Sequence, residues 1–251
     1  MTINISATST LDSGVLERRF TVDGANGLVP GVLWTPSTPG PWPLVLLGHG
    51  GSGSKDSAGG RDRDWFAARG IATAAIDGPA HGDRGPVTNT TDPAYTEMWT
   101  RPRVIDDMNT DWSNTLDALL ALGEFEASAV GYHGMSMGTM FGLPYVASES
   151  RIVAAVLGMC ALRGTSIDRS HIEGRLAFDA GKVTCPLIFH VQWDDERFDR
   201  ASAIELYAML GSTDKRLQAT PGLHGGISAE GRETVREFLA GRLLAKVPQP
   251  A

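Results

Sequence analysis

The chain has 251 residues with 22 Lys+Arg against 29 Asp+Glu, a formal net charge of −7. That sign argues against a nucleic-acid partner, which requires a cationic face against phosphate. With 42% hydrophobic and 20% charged residues the chain can build a core, and its composition is far from that of a disordered polymer; its length fits a single α/β domain over residues 1–251.

Residues 1–20 contain neither a cationic segment nor an apolar run of membrane or signal length, so a cytoplasmic protein without membrane contact is expected. Residues 18–22 and 31–34 read as strands, separated by the turn signals Asp23-Gly24 and Asn26-Gly27, and suggest an antiparallel lead-in. Wholly apolar runs follow at 44–47, 72–76, 128–133, 152–157 and 187–191, the pattern of parallel strands buried on both faces. Helical periodicity occupies 61–69, 106–122, 139–147, 199–210 and 229–245; in the second of these Leu116, Leu119, Leu120 and Gly123 share one face. Alternating strands and helices predict a mostly parallel, doubly wound α/β sheet. Two connections, 83–103 and 162–183, are longer than a crossover needs and are expected to form a small lid or insert. Cys160 and Cys185 match neither a metal spacing nor a disulfide framework and read as reduced thiols.

Three chemistries compete. Gly48-His49-Gly50-Gly51-Ser52-Gly53 satisfies G-x-G-x-x-G after a strand, and Asp77 ends the next strand where a ribose-binding acid would sit, which suggests a nicotinamide-dependent oxidoreductase. Against it, Gly59-Gly60 interrupt the chain and helical periodicity begins only near 61, too late to aim a helix N-terminus at a pyrophosphate. Lys55 also sits one position late for a phosphate-binding P-loop. A metal site would draw on His49, His81, His133, His171, His190 and His224, but no H-x-x-x-H or H-x-H spacing occurs, and no metal is expected. The third is a serine nucleophile: Gly134-Met135-Ser136-Met137-Gly138 is G-x-S-x-G between a strand and a helix, the context that lifts a serine Oγ above a sheet.

A serine hydroxyl needs a base to take its proton and a carboxylate to orient that base. Both should come from loops after later strands. Gln192-Trp193-Asp194-Asp195-Glu196 follows the strand at 187–191, and His224 is the one histidine beyond both this turn and Ser136. Either Asp194 or Asp195 could serve. Two N–H donors must receive the developing oxyanion; Met137 is one, and the other should come from His49-Gly50-Gly51.

With these residues in hand the chain resembles the α/β-hydrolases, more narrowly the esterases related to dienelactone hydrolase. The resemblance runs through LLGHGGSG (46–53), FAARGIATAAIDGPAHGDR (66–84), GYHGMSMG (131–138), QWDDERF (192–198) and GLHG (222–225). It implies Ser136 as nucleophile, His224 as general base and acid, and the N–H groups of Gly51 and Met137 as the oxyanion hole. Aligning Gln192 and Phe198 with the ends of the family's G-x-x-D-x-x-V turn favours Asp195 as the acid, with Asp194 the alternative. Two departures stand out: dienelactone hydrolases proper use cysteine where this chain has Ser136, and Gln192 replaces the usual glycine. The implied function is hydrolysis of small to medium carboxylic esters through an acyl-enzyme, without a cofactor; thioesters, lactones and acetylated sugars are variants, and a noncatalytic binding module is the remaining possibility. By the same resemblance His81 closes a turn and Asp77 anchors a loop. Trp99, Arg101, Arg103 and Trp193 are expected to line the substrate pocket, with a preference for anionic esters if Arg101 and Arg103 are not spent on Asp106 and Asp107.

Overall fold

The computed structural model describes residues 2–60 and 62–247. Among the described residues nine strands form one sheet in the order β1-β2-β3-β5-β4-β6-β7-β8-β9. The lead-in strands β1 (Ile3–Thr10), β2 (Leu16–Gly24) and β3 (Gly27–Thr35) run antiparallel, and β3 pairs antiparallel with β5 (Ala72–Ile76). From β5 through β4 (Trp42–Gly48), β6 (Phe125–Gly134), β7 (Ile152–Gly158), β8 (Leu187–Gln192) and β9 (Lys215–Thr220) every pairing is parallel. Strand β1 was not foreseen: it is an edge strand with almost every residue exposed, and the alternation of Ile3, Ile5 and Ala7 with Asn, Ser and Thr is too short and too weakly apolar to announce it.

The apolar runs divide between two cores by the two-residue period of a strand. Leu44 and Leu46 face a cluster with Trp112, Leu116 and Phe141, while Val45 and Leu47 face one with Phe66, Leu239 and Leu243. The first core lies under α4 (Val104–Leu120), α5 (Met137–Ser148), α7 (Glu173–Ala180) and α8 (Arg200–Met209); the second lies under α2 (Asp62–Ala67) and α9 (Ala229–Leu244). Burying both faces of β4, β5, β7 and β8 explains why their sequence runs are continuous rather than alternating.

Two expectations change in detail. A short helix, α1 (Lys55–Gly59), starts directly after the glycine loop, ahead of the periodicity that begins at 61. Its signal is hidden because the residue facing the interior is Lys55, 3% exposed. The long connections are also partly helical, with α3 (Pro93–Trp99) in the first and α6 (Thr165–Ser170) and α7 in the second. No helix among the described residues is long and apolar enough to cross a membrane.

Strand β4 has β5 on one side and β6 on the other, so successive connections leave it in opposite directions. Such a reversal opens a crevice at the carboxyl ends of the strands, the usual ligand position in an open α/β sheet. Gly48 and Gly134 pair across that crevice, and the glycine loop and Ser136 follow directly after them.

Candidate active site

Ser136 is a non-glycine residue at φ 58°, ψ −123°, a strained conformation at the mouth of α5; such positions cost on the order of 1–3 kcal/mol and persist when their surroundings over-determine them. Here the Ser136 N–H donates to the Gly158 carbonyl at 3.0 Å. Thr139 Oγ1 accepts the Gly158 N–H at 2.8 Å and lies 2.7 Å from the Gly134 carbonyl, tying the turn to β7. The flanking glycines are steric requirements: a Cβ at Gly134 would stand 2.5 Å from the Gly138 carbonyl oxygen, and one at Gly138 2.5 Å from that of Gly48.

Ser136 Oγ is 2.9 Å from His224 Nε2, and His224 Nδ1 is 2.8 Å from Asp195 Oδ2. The carboxylate only accepts, so Nδ1 carries the proton and Nε2 of the neutral ring is free to accept from the serine. Asp195 Oδ1 in turn accepts the N–H groups of Arg197 at 2.8 Å and Phe198 at 3.1 Å, which fixes the carboxylate plane.

The other acidic residues of this turn grip the same histidine loop elsewhere. Asp194 Oδ2 accepts the Gly222 N–H at 3.2 Å, and Glu196 Oε2 accepts the His224 N–H at 2.9 Å; that backbone hydrogen bond holds the Glu196 carboxyl below its ordinary range. Of the two candidate acids, Asp195 meets the ring and Asp194 braces the backbone two residues before it.

On the opposite wall, His49 organises the glycine loop. Its Nδ1 is 2.8 Å from the Gly50 carbonyl, which also accepts the Gly53 N–H at 2.9 Å, and its Nε2 accepts the Gly78 N–H at 2.8 Å. Burial pushes His49 down to about 4, so the ring is neutral and Nδ1 donates. Fixing the Gly50 carbonyl fixes the Gly50–Gly51 peptide plane, and with it the Gly51 N–H on the opposite edge. His81 sits behind, with Nε2 3.1 Å from the Gly51 carbonyl and Nδ1 2.8 Å from that of Pro79. The first insert closes over this loop: a Cβ at Gly51 would meet Thr90 Cγ2 at 2.7 Å. Met137 is buried, with its side chain beneath the turn. Its N–H is among the first-turn donors that α5 itself cannot satisfy.

A cavity of about 430 Å³ holds Ser136, His224 and Gly51 together. Its remaining wall includes Ser57, Asp62, His133, Arg197 and Arg232, none of which the sequence marked as a pocket residue. Arg232 lies eight positions beyond His224 in α9, the one hint in the sequence; Asp62 and His133 meet across the fold, with His133 Nδ1 3.7 Å from Asp62 Oδ2. Burial lowers the His133 pKa despite that carboxylate.

The expected specificity residues are elsewhere. Trp99 is buried at the end of α3, stacked on Phe141 at 4.6 Å, and with Arg101 it lines a separate groove. Trp193 is 46% exposed with the Arg200 guanidinium 4.2 Å over its ring, because it follows the inward Gln192 and therefore points outward. Arg103 is exposed and stands 3.5 Å from Asp107, whereas Asp106 pairs with Arg175 at 2.8 Å. None of the four lines the Ser136 cavity.

Asp77 is fully buried and its carboxylate is consumed within the fold, accepting Lys55 N at 2.8 Å, Lys55 Nζ at 3.0 Å and Asp83 N at 2.9 Å. Burial works against the Lys55 ammonium, but the Asp83 and Asp77 carboxylates outweigh it and raise its pKa. Fully buried and held by these three contacts, Asp77 faces no open space where a ribose could reach it, which corrects the nucleotide-loop expectation for a reason other than helix position. Cys160 and Cys185 are free, and burial pushes them up to about 12 and about 11, so both are thiols rather than nucleophilic thiolates. No group of three or more His, Cys, Asp or Glu among the described residues is placed to hold a metal ion.

No protein-family model matches the chain. A cold-adapted esterase from an Arctic intertidal metagenomic library superposes with a TM-score of 0.84 at 33% identity, over 97% of this chain and 100% of that one. An acetyl xylan esterase from Paenibacillus sp. R4 shares the fold at 19% identity, with a TM-score of 0.76 over 96% of this chain and 88% of that one. The 2,6-dihydropseudooxynicotine hydrolase of Paenarthrobacter nicotinovorans is 30% identical over 121 residues, which is 48% of this chain but 29% of that longer protein.

Proposed function

The chain belongs to the α/β-hydrolases, in the branch resembling dienelactone hydrolase, and from that premise we propose that it cleaves carboxylic esters of small to medium size through an acyl-enzyme on Ser136. His224 takes the serine proton through Nε2 as Oγ attacks the ester carbonyl, and Asp195 stabilises the imidazolium that results. The oxyanion is received by the N–H groups of Gly51 and Met137. His224 then gives its proton to the departing alcohol, and a water deprotonated by the same ring releases the acid. The observation that carries this reading is the unbroken line from Ser136 to His224 to Asp195, at 2.9 and 2.8 Å, opening into a cavity that Gly51 also lines.

The test is labelling with a fluorophosphonate read by intact mass, alongside hydrolysis of p-nitrophenyl acetate and butyrate. The wild type should gain one adduct, and Ser136→Ala should gain none and lose turnover by roughly 10³–10⁶-fold. Turnover that survives in the variant would refute the assignment.

Within ester hydrolysis, acetylated sugars are favoured by one observation. Ser57, Asp62, His133 and Arg232 give the cavity hydroxyl, carboxylate, imidazole and guanidinium groups suited to a polyhydroxylated alcohol. Acetylated xylose should then be cleaved with a higher kcat/KM than an alkyl acetate of equal size; the reverse order removes this preference.

A further inference from the structure

Gln192, where the resemblance leads one to expect glycine, is fully buried at the last position of β8, directly opposite Thr220 of β9. Its Nε2 lies 3.0 Å from the carbonyl oxygen of Leu223, the residue before His224. A carbonyl accepts and never donates, so this contact sets which end of the carboxamide is the NH2. The other end agrees: Oε1 accepts the hydroxyl of Thr220 and lies 2.8 Å from His190 Nε2. His190 is fully buried and burial lowers its pKa, so its ring is neutral with a single proton, and since an amide oxygen only accepts, Nε2 is the donor in this contact. Every polar contact of the amide thus points it one way. The loop packs close around it at two glycines: Cβ atoms at Gly222 and Gly226 would lie 3.4 and 3.3 Å from Nε2.

Resting on the reading of His224 as the base, we propose that Gln192 is a positioning residue, holding the Leu223 carbonyl and thereby the backbone entry to His224 against the end of β8. Asp194 and Glu196 reach the N–H groups of Gly222 and His224 from an exposed turn, where water competes for both. Gln192 supplies the third grip, from a buried side chain, on the carbonyl between them, which also accepts the Gly226 N–H at 2.8 Å, so that loop turn and strand end meet at one oxygen.

Three variants test this. Gln192→Met keeps the volume and removes the donor; Gln192→Glu puts an acceptor against the Leu223 carbonyl; Thr220→Val frees the amide to rotate without touching the loop. Each is assayed with p-nitrophenyl butyrate, with rates expressed per site titrated by the fluorophosphonate, so that misfolded protein drops out. The expected result is a fall in kcat per site of roughly 10–100-fold in the two Gln192 variants with KM within about twofold, the signature of a displaced base rather than of weakened substrate binding. Thr220→Val should show the same split at a smaller scale, and decides the matter should neither Gln192 variant fold. A kcat per site within twofold of wild type, or a raised KM with kcat unchanged, overturns the proposal. Failure of the esterase reading looks different: the wild type itself would then take up no phosphonate.

Discussion

The Ser136 cavity and the groove between the two inserts enclose almost the same space, about 430 and 450 Å³, but they are made from different parts of the chain. The first is walled by strand ends and the turns that follow them, so it presents backbone N–H groups, a strained serine and a histidine whose ring is fixed at both nitrogens. The second lies between α3, α4, α6 and α7 and presents side chains of these helices and of the α3–α4 turn, among them Arg101, Arg169 and Arg175. Volume does not tell the two apart. What does is the reversal of strand order at β4, which gathers loop backbones in one place with their donors unspent.

The sharpest way to break this comparison is to remove the carboxylate that meets the His224 ring. Asp195→Asn offers the ring a donor where it needs an acceptor and should lower kcat by roughly 10³–10⁴-fold. Asp194→Asn keeps an oxygen for the Gly222 N–H and should cost no more than about tenfold. Steady-state rates per titrated site separate the two; equal losses would mean that the turn acts as a unit and that the geometry has been divided wrongly between neighbours.

That pair also marks how far the sequence could be read. The strand, sharp turn and helix around Ser136 are local, and glycine is forced at 134 and 138 by contacts within one turn and its neighbouring strand, so the motif was legible. Asp195 and His224 were legible by chain order after strands. Choosing between Asp194 and Asp195 from the residues alone was not, because it depends on which way each side chain leaves the turn, and that is set by pairing between β8 and β9. Trp99 and Arg101 stand outside the Ser136 cavity because an insert's position in the chain says which end of the sheet it joins, not which helix face looks into the cavity, and Trp193 stands outside it because it follows the inward Gln192. Arg232, Asp62 and His133 are joined only by the packing of α2 and α9 on β6, which no short motif records.

A smaller effect concerns the glycine wall. His49 is buried and neutral, with its pKa lowered to about 4 from 6.5, so between those values the unfolded chain binds a proton that the fold excludes. Stability from this group is complete above pH 6.5 and is lost as the pH falls toward 4, by up to about 3 kcal/mol at 1.36 kcal/mol per unit. His133 and His190, also lowered by burial, act in the same direction. Urea unfolding at pH 7.0 and 4.5 should therefore show a drop that shrinks by about 2–3 kcal/mol in His49→Gln. An unchanged drop would place the protonation elsewhere and remove His49 as the fixed support of the Gly51 peptide.

The smallest expected effect is the most direct test of the groove. Arg101 is exposed, has no carboxylate within salt-bridge distance among the described residues, and lies outside the Ser136 cavity. An exposed, unpaired guanidinium adds little to stability, so Arg101→Ala should leave the unfolding midpoint within about 0.5 kcal/mol of wild type. Both kcat and KM should stay within about twofold for neutral and for carboxylate-bearing p-nitrophenyl esters alike. Arg232→Ala, made in the cavity wall, should by contrast raise KM several-fold. If Arg101→Ala instead weakens the carboxylate-bearing ester selectively, the groove is part of the substrate path and the two cavities are one site.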